Sequence, residues 1–113
     1  MESSSRNNDR LSFGFTDLHS FKDYIVYVLS CAPDMFPPED WRAPDDQMNL
    51  NRAFVGLRHG LDLTAKEIGE SDIIAKCRIL IDQSYVDYVA GRDRDGQQKL
   101  EEVESLLKEL PSQ

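Results

Sequence analysis

The sequence predicts an all-α protein, an antiparallel bundle of about four helices with a proline-rich loop after the first helix. Three observations favour this fold class. Apolar residues recur at intervals of three and four along most of the chain, which is the spacing of one helix face. A capping residue, a glycine or a proline stands at the expected ends of the periodic segments. The connections after the loop are short, which is typical of antiparallel neighbours in a bundle.

The length and composition are those of one globular domain. The chain has 113 residues, of which 40% are hydrophobic and 30% charged, enough to bury a core of its own. Residues 1–11 are polar and aperiodic, so we expect a flexible tail there and a single helical-bundle domain over 12–113. We see no apolar stretch long enough for a membrane span or a signal peptide. We therefore expect a cytoplasmic protein, most simply a bacterial one.

The charge is strongly acidic. Twenty-one Asp and Glu residues against thirteen Lys and Arg residues give a net charge of -8. Such a field repels the phosphates of nucleic acids and anionic lipids, and it attracts basic surfaces. We therefore expect a protein partner more basic than this chain, with neither nucleic acid nor membrane involved. A homodimer stays open.

The first helix is predicted to begin at a cap formed by Thr16 or Asp17 and to end at Pro33. Residues 24–29 are rich in β-branched and aromatic side chains, so a strand is the alternative for that stretch. Residues 34–46 contain three prolines and no apolar period, which predicts a loop. The apolar face of the helix consists of Leu18, Phe21, Tyr24, Ile25, Val28 and Leu29.

The second helix is predicted to begin near Asp45 or Asp46 and to end at Gly69. Gly56 and Gly60 lie one turn apart inside it, where each costs about 1 kcal/mol relative to Ala. Close approach by another helix is the simplest compensation for that cost. The apolar face consists of Leu50, Ala53, Phe54, Leu57, Leu61, Ala65 and Ile68.

Two more helices follow. Ser71 is a suitable N-cap for the third, which Gly91 closes, and the fourth is predicted over 97–110 before Pro111. Their apolar faces consist of Ile73, Ile74, Cys77, Leu80, Ile81, Tyr85 and Tyr88, and of Leu100, Val103, Leu106, Leu107 and Leu110. Cys31 and Cys77 sit among apolar neighbours, so we interpret both as reduced core residues. A disulfide between two helices is the alternative.

Motifs for catalysis or metal binding are sparse. The chain has no glycine-rich phosphate loop, no Cys-x-x-Cys pair and no His-Glu-x-x-His. Its two histidines, His19 and His59, fall on different predicted helices, and Cys77 lies on a buried stripe where a thiolate is disfavoured. We expect a protein that is not an enzyme and that needs no cofactor. An enzyme whose site is assembled only by the fold is a further alternative.

One segment partly matches the calcium loop of an EF-hand. Its matching residues are Asp93, Asp95, Gly96 and Glu102, but Gly91 stands at the first ligand position and Gln98 at a usually apolar one. Losing the first carboxylate removes a charge and an anchor for the ion. We therefore interpret this segment as a polar turn followed by helix-start acids, with no metal bound.

The segment from His59 to Gly69 reads His-Gly-Leu-Asp-Leu-Thr-Ala-Lys-Glu-Ile-Gly and resembles the motif of histidine-phosphotransfer domains. Those domains are helical bundles of about this size. The resemblance implies a signalling bundle in which His59 carries a phosphoryl group. Asp62 and Leu63 stand where that family has a lysine and a glycine, and a carboxylate one turn from a phosphohistidine would repel it. Phosphotransfer is our alternative hypothesis.

A second resemblance is to small helical immunity proteins of bacterial toxin–immunity pairs. Ala65-Lys66-Glu67-Ile68, Glu70-Ser71-Asp72, Asp82 and Tyr85-Val86 are similar to the helix-turn-helix of one such family once a gap is allowed. The N-terminal half, with its proline-rich loop, does not follow that family. The resemblance implies a non-catalytic inhibitor that covers the active site of a cognate toxic enzyme. An immunity- or antitoxin-like protein is our leading hypothesis.

Residues 34–46 are the predicted binding surface, because they combine five carboxylates with one arginine and large apolar side chains. Aromatic anchors amid complementary charge are what protein interfaces use. The alternative for the aromatic residues is that they fold back and cap the end of the bundle. The last helix, with Glu101, Glu102, Glu104 and Glu109, is the second candidate, or else a solvated face. The predicted contact residues are Phe36, Glu39, Asp40, Trp41, Asp45 and Asp46, with Trp41 as the anchor.

Overall fold

The structure, a computed structural model, describes residue 15 and residues 17–110. Within that part of the chain the secondary structure is entirely helical. It consists of α1 (Leu18–Cys31), a 3₁₀ turn (Pro44–Asp46), α2 (Leu50–Ile68), α3 (Asp72–Val89) and α4 (Asp93–Lys108). The predicted all-α bundle is confirmed, and residues 24–29 are helical, so the strand alternative is wrong. The tail predicted over 1–11 and the stop at Pro111 lie outside the described residues.

Ion pairs between neighbouring helices show their antiparallel order. Arg58 of α2 pairs with Asp82 of α3 at 3.1 Å, and Asp62 pairs with Arg78 at 2.7 Å. Residue numbers thus rise along α2 as they fall along α3. Helix α4 runs back along α3, because Glu102 pairs with Lys76 while Gly96 accepts from Ser84. Helix α1 packs against both α2 and α4 and closes the bundle.

The core is built by the four predicted apolar faces. Both cysteines are buried and free, as the reduced-core interpretation predicted, and burial raises the pKa of the Cys77 thiol to about 11. Burial of the apolar side chains of these faces supplies the main stabilisation of the bundle. The largest fully buried side chains are Phe15, Phe21, Phe54, Leu18, Ile25, Leu57, Leu61, Ile74, Ile81, Leu100, Leu107 and Val28.

Side-chain caps begin three of the helices. Asp17 accepts a hydrogen bond from the Ser20 amide, and Ser71 accepts one from the Ile74 amide, so both predicted caps are in place. The predicted start of the second helix at residues 45–46 is wrong. Those residues form the 3₁₀ turn, and α2 begins at Leu50 because Asn49 accepts a hydrogen bond from the Arg52 amide at 2.8 Å.

Two glycines mark places where helices approach closely. A Cβ atom on Gly60 would lie 2.0 Å from Cε1 of Phe21, so the α1–α2 contact requires a glycine there, as predicted. A Cβ atom on Gly96 would lie 2.8 Å from the ring of Tyr88, and the Ser84 hydroxyl donates to the Gly96 carbonyl at 2.8 Å. The last helix begins at Asp93, four residues before its predicted start, and Gly96 in its first turn packs against α3.

None of the helices within the described residues combines the length and the apolar character needed to cross a bilayer.

Candidate binding site: the 34–46 loop platform

The loop between α1 and α2 is an ordered platform; we use "loop platform" for residues 34–46. Its entry is fixed where the Met35 amide donates to the Cys31 carbonyl at 2.6 Å, at the end of α1. Its exit is fixed by Met48, which is buried in the core. Phe36 packs back on the bundle, with its ring edge-on to Tyr27 at a centroid distance of 5.8 Å.

The side chain of Gln47 organises the middle of the platform. Its Nε2 donates to the carbonyls of Glu39 at 2.9 Å and Arg42 at 3.0 Å, while its Oε1 accepts from the Glu39 amide at 2.7 Å. The Arg42 amide donates to the Glu39 carbonyl at 3.1 Å and closes the turn. One amide side chain therefore satisfies backbone groups that would otherwise have no partner in a helix or strand.

A buried arginine lies beneath this turn. Arg42 is only 6% exposed, and its Nε donates to Oε1 of Glu39 at 2.7 Å. The same guanidinium lies against the indole of Trp41, with Cζ 4.3 Å from the ring centroid. Arg42 thus holds Glu39 from one side and supports Trp41 from the other.

Trp41 is the largest exposed side chain of the platform. It is 65% exposed, and Met35 is also largely exposed. The alternative in which the aromatic residues fold back on the bundle is confirmed for Phe36, which packs against the core, and wrong for Trp41, whose side chain is exposed. Asp40 and Asp45 are exposed near it in the chain, as Asp34 is.

Five of the six predicted contact residues divide into two groups. Trp41, Asp40 and Asp45 lie on the outside of the platform, where a partner can reach them. Phe36 and Glu39 are half-buried and turned toward the bundle, so they support the platform rather than face a partner. The side chain of Asp46 lies outside what the structure describes. Sequence reasoning missed Arg42 and Gln47, the two residues that build the platform.

Three of the four glutamates of the second candidate surface have a side-chain partner. Glu102 pairs with Lys76 of α3 at 3.4 Å, Glu104 with Lys108 at 3.9 Å, and Glu101 accepts from Gln97 at 3.3 Å. The second candidate surface therefore presents fewer uncompensated carboxylates than the loop platform.

The phosphotransfer motif lies in α2 and borders an open cleft of about 500 Å³. The Nε2 atom of His59 is buried, and its ring lies 6.1 Å from that of Phe15. Asp62, one turn on, is held by Arg78 at 2.7 Å. A phosphoryl donor must reach a ring nitrogen, so burial of Nε2 counts against His59 as an acceptor. His19 is exposed on α1.

The partial EF-hand match does not form a calcium loop. Asp93, Asp95 and Gly96 lie in the first turn of α4, and Glu102 lies in its middle. An EF-hand loop must curl its ligands around one ion, which a continuous helix cannot do. The interpretation as a turn with helix-start acids is confirmed, since residues 90 and 91 form a turn and Asp93 and Asp95 lie in the first turn of α4. Across the part of the chain that the structure describes, no three His, Cys, Asp or Glu side chains are grouped as a metal site.

Comparison with known proteins finds no matching family, no matching curated protein and no matching solved structure.

Proposed function

We propose that this chain is a non-catalytic protein-binding module, of the immunity or antitoxin kind, that neutralises a more basic partner through the loop platform. The single observation that carries the proposal is Trp41, an indole 65% exposed on a loop whose own hydrogen bonds hold it in place. Tryptophan is among the residues most often found as interface hot spots.

Preorganisation of the platform supports binding. Association costs free energy for every side chain and loop that must be ordered at the interface. Here Gln47 and the Arg42–Glu39 pair have already ordered the backbone around Trp41. A partner therefore meets an indole that is fixed before contact, and less of the interaction free energy is lost to ordering.

The charge of the platform indicates the chemistry of the partner. Residues 34–46 contain five carboxylates and one arginine, so they account for half of the net charge of -8 in 13 of 113 residues. Because Arg42 pairs with Glu39, this charge of -4 is carried by the other four carboxylates of the segment. Such a surface accelerates encounter with a basic protein and disfavours acidic competitors. A cationic toxic enzyme, whose active site would be covered, fits this requirement.

The experiment uses the product of the adjacent gene as the candidate partner. Expressed alone, that product should arrest growth, and co-expression with this chain should restore it. Trp41→Ala should weaken the complex by about 2 kcal/mol through faster dissociation, with an unchanged melting temperature. Val26→Ala, at an exposed position on α1, is the matched control and should leave affinity unchanged.

A second pair of variants separates the two candidate surfaces. Charge reversal at Asp45 and Asp46 should slow association and reduce its dependence on salt, because rim charges act on the encounter rate. The same reversal at Glu101 and Glu109 on and beside α4 should change the rate less. Equal effects at both places, or a stability loss in Trp41→Ala without any affinity loss, would refute the loop platform as the binding surface.

A further inference from the structure

Helix α3 carries a second apolar stripe on the side opposite the core. Ile79, Val86 and Val89 are 58%, 57% and 63% exposed. Together with Ala75 and Asp82, which are also exposed, they follow one another at intervals of four, three, four and three residues. We call these five residues the α3 seam. This is the heptad spacing with which one helix packs along another. A helix that is apolar on both sides usually has a partner on each.

The charge around the seam favours a second copy of this chain over a basic partner. Helix α2 has three basic and two acidic residues, and α3 has two basic and three acidic residues. The two helices together are therefore neutral, and the whole net charge of -8 lies in other parts of the chain. Two copies can therefore meet through α3 without opposing a net charge on α2 or α3, whereas a basic partner gains nothing from a neutral face.

The order of residues along the seam is compatible with twofold symmetry. If two copies of α3 run antiparallel about an axis at Asp82, Ile79 meets Val86 of the second copy and Ala75 meets its Val89. Each large side chain then faces an apolar one, and the pattern is identical when seen from either copy, as an isologous interface requires. A twofold axis between Asp82 and a neighbouring seam residue would instead place the Asp82 carboxylate against Ile79 or Val86 of the second copy.

The central carboxylate of the seam is already compensated. Nε of Arg58 donates to Oδ1 of Asp82 at 3.1 Å, and the same guanidinium lies 5.6 Å from the ring centroid of Tyr85. Two copies would thus bring together two neutral Arg–Asp pairs rather than two bare carboxylates. A polar layer at the centre of an apolar seam is the device by which helix pairs fix their register.

From these observations we infer that the α3 seam is a homodimer interface, in which two copies pack antiparallel through Ile79, Val86 and Val89. The seam shares no residue with the loop platform. The inference therefore goes beyond the proposed function and does not depend on it.

Sedimentation equilibrium of the full chain from micromolar to submillimolar concentration tests the inference. The expected mass rises from 12.9 kDa toward twice that value. Ile79→Arg should raise the dissociation constant by at least roughly tenfold, which corresponds to about 1.4 kcal/mol. Val26→Arg, a matched change at an exposed valine on α1, should leave the constant unchanged. Circular dichroism on each variant verifies that it is folded.

Cross-linking tests the antiparallel register. Ile79→Cys mixed with Val86→Cys should cross-link between the two variants faster than either variant does with itself, because both native thiols are buried. A chain that stays monomeric at submillimolar concentration would overturn the inference, as would equal loss of dimer in Val26→Arg. Faster cross-linking within each single variant would overturn the register and with it the proposed interface.

Discussion

Arg42 in the loop platform and Arg58 on α2 make the same two contacts in opposite settings. Each donates through Nε to a carboxylate, Glu39 at 2.7 Å and Asp82 at 3.1 Å. Each also places its guanidinium near an aromatic ring, that of Trp41 for Arg42 and that of Tyr85 for Arg58. In the platform the arginine is buried and the ring is exposed, whereas on α2 the arginine is exposed and the ring is half-buried.

The difference shows that burial, not the contact, decides what such a pair does. Separating a buried guanidinium from its carboxylate leaves an uncompensated charge in the protein, which costs free energy. The buried pair therefore holds the loop in one arrangement. An exposed pair can be replaced by water at little cost, so it neutralises a surface without fixing the backbone. The loop platform is therefore held in one arrangement with Trp41 exposed. The α3 seam is a neutral surface whose central Arg58–Asp82 pair can be broken at little cost.

The largest expected effect is the loss of the buried arginine. Arg42→Ala should lower the free energy of unfolding by about 2 kcal/mol or more, because Glu39 is left half-buried without its partner. Urea denaturation measures the loss, and the fluorescence of Trp41, the only tryptophan, should shift as its support disappears. Arg42→Lys keeps the positive charge but loses the hydrogen bond from Nε, so its free energy of unfolding should lie between those of the wild type and Arg42→Ala. A loss as small as that of an exposed pair would contradict the assigned role of Arg42.

The next effect concerns the side chain that organises the platform. Gln47→Ala removes three hydrogen bonds to the backbone of Glu39 and Arg42, and it should cost about 1–2 kcal/mol. Hydrogen exchange should accelerate at the amides of Glu39 and Arg42 while the core of α1 stays protected. Gln98→Ala, at an exposed position on α4, is the control and should change neither quantity. Unchanged exchange in the loop would mean that the platform is held by other contacts.

How far the sequence could predict these two regions depends on periodicity. The four helices were predictable because apolar spacing and caps such as Ser71 are local signals, and Asp17 capped its helix as one of two predicted options. Arg42 and Gln47 were missed because a loop has no period, and a lone polar residue there gives no sign of burial. Trp41 was predicted as an anchor, but its exposure could not be, since it depends on what fills the space below.

The α3 seam shows a different limit. Its spacing of four, three, four and three can be read directly in the sequence, from Ala75 to Val89. The sequence analysis assigned only the stripe from Ile74 to Tyr88, on the other side of the helix, as an apolar face. Gly96 was placed before the predicted start of the last helix, although it lies in the first turn of α4. Its close contact with Tyr88 is a tertiary feature that a sequence motif does not reveal.

The pH dependence of stability tests the role of Asp87, which lies where α3 meets α4. Asp87 pairs with Lys99 and with Arg92, and these hydrogen bonds hold the pKa of its carboxyl below the ordinary value of 3.8. A lowered folded-state pKa stabilises the protein above the unfolded-state pKa, and this contribution is lost as the pH falls through the folded-state value. Asp87→Asn should therefore be less stable than the wild type at neutral pH, and the difference should shrink below about pH 4. A difference independent of pH would contradict this role.

The smallest expected effect is on the exposed counterpart of the buried pair. The Arg58 side chain is 44% exposed, and Arg58→Ala should change the free energy of unfolding by less than about 0.5 kcal/mol at low micromolar protein, where we expect a monomer. At submillimolar protein the same variant should dimerise less than the wild type, because two unpaired Asp82 carboxylates would then face each other across the seam. Arg58→Ala combined with Asp82→Ala removes both charges and should restore dimerisation, which a mere packing defect would not allow. A stability loss in the monomer as large as that of Arg42→Ala would erase the distinction between the two arginines, since burial would then not decide what such a pair does.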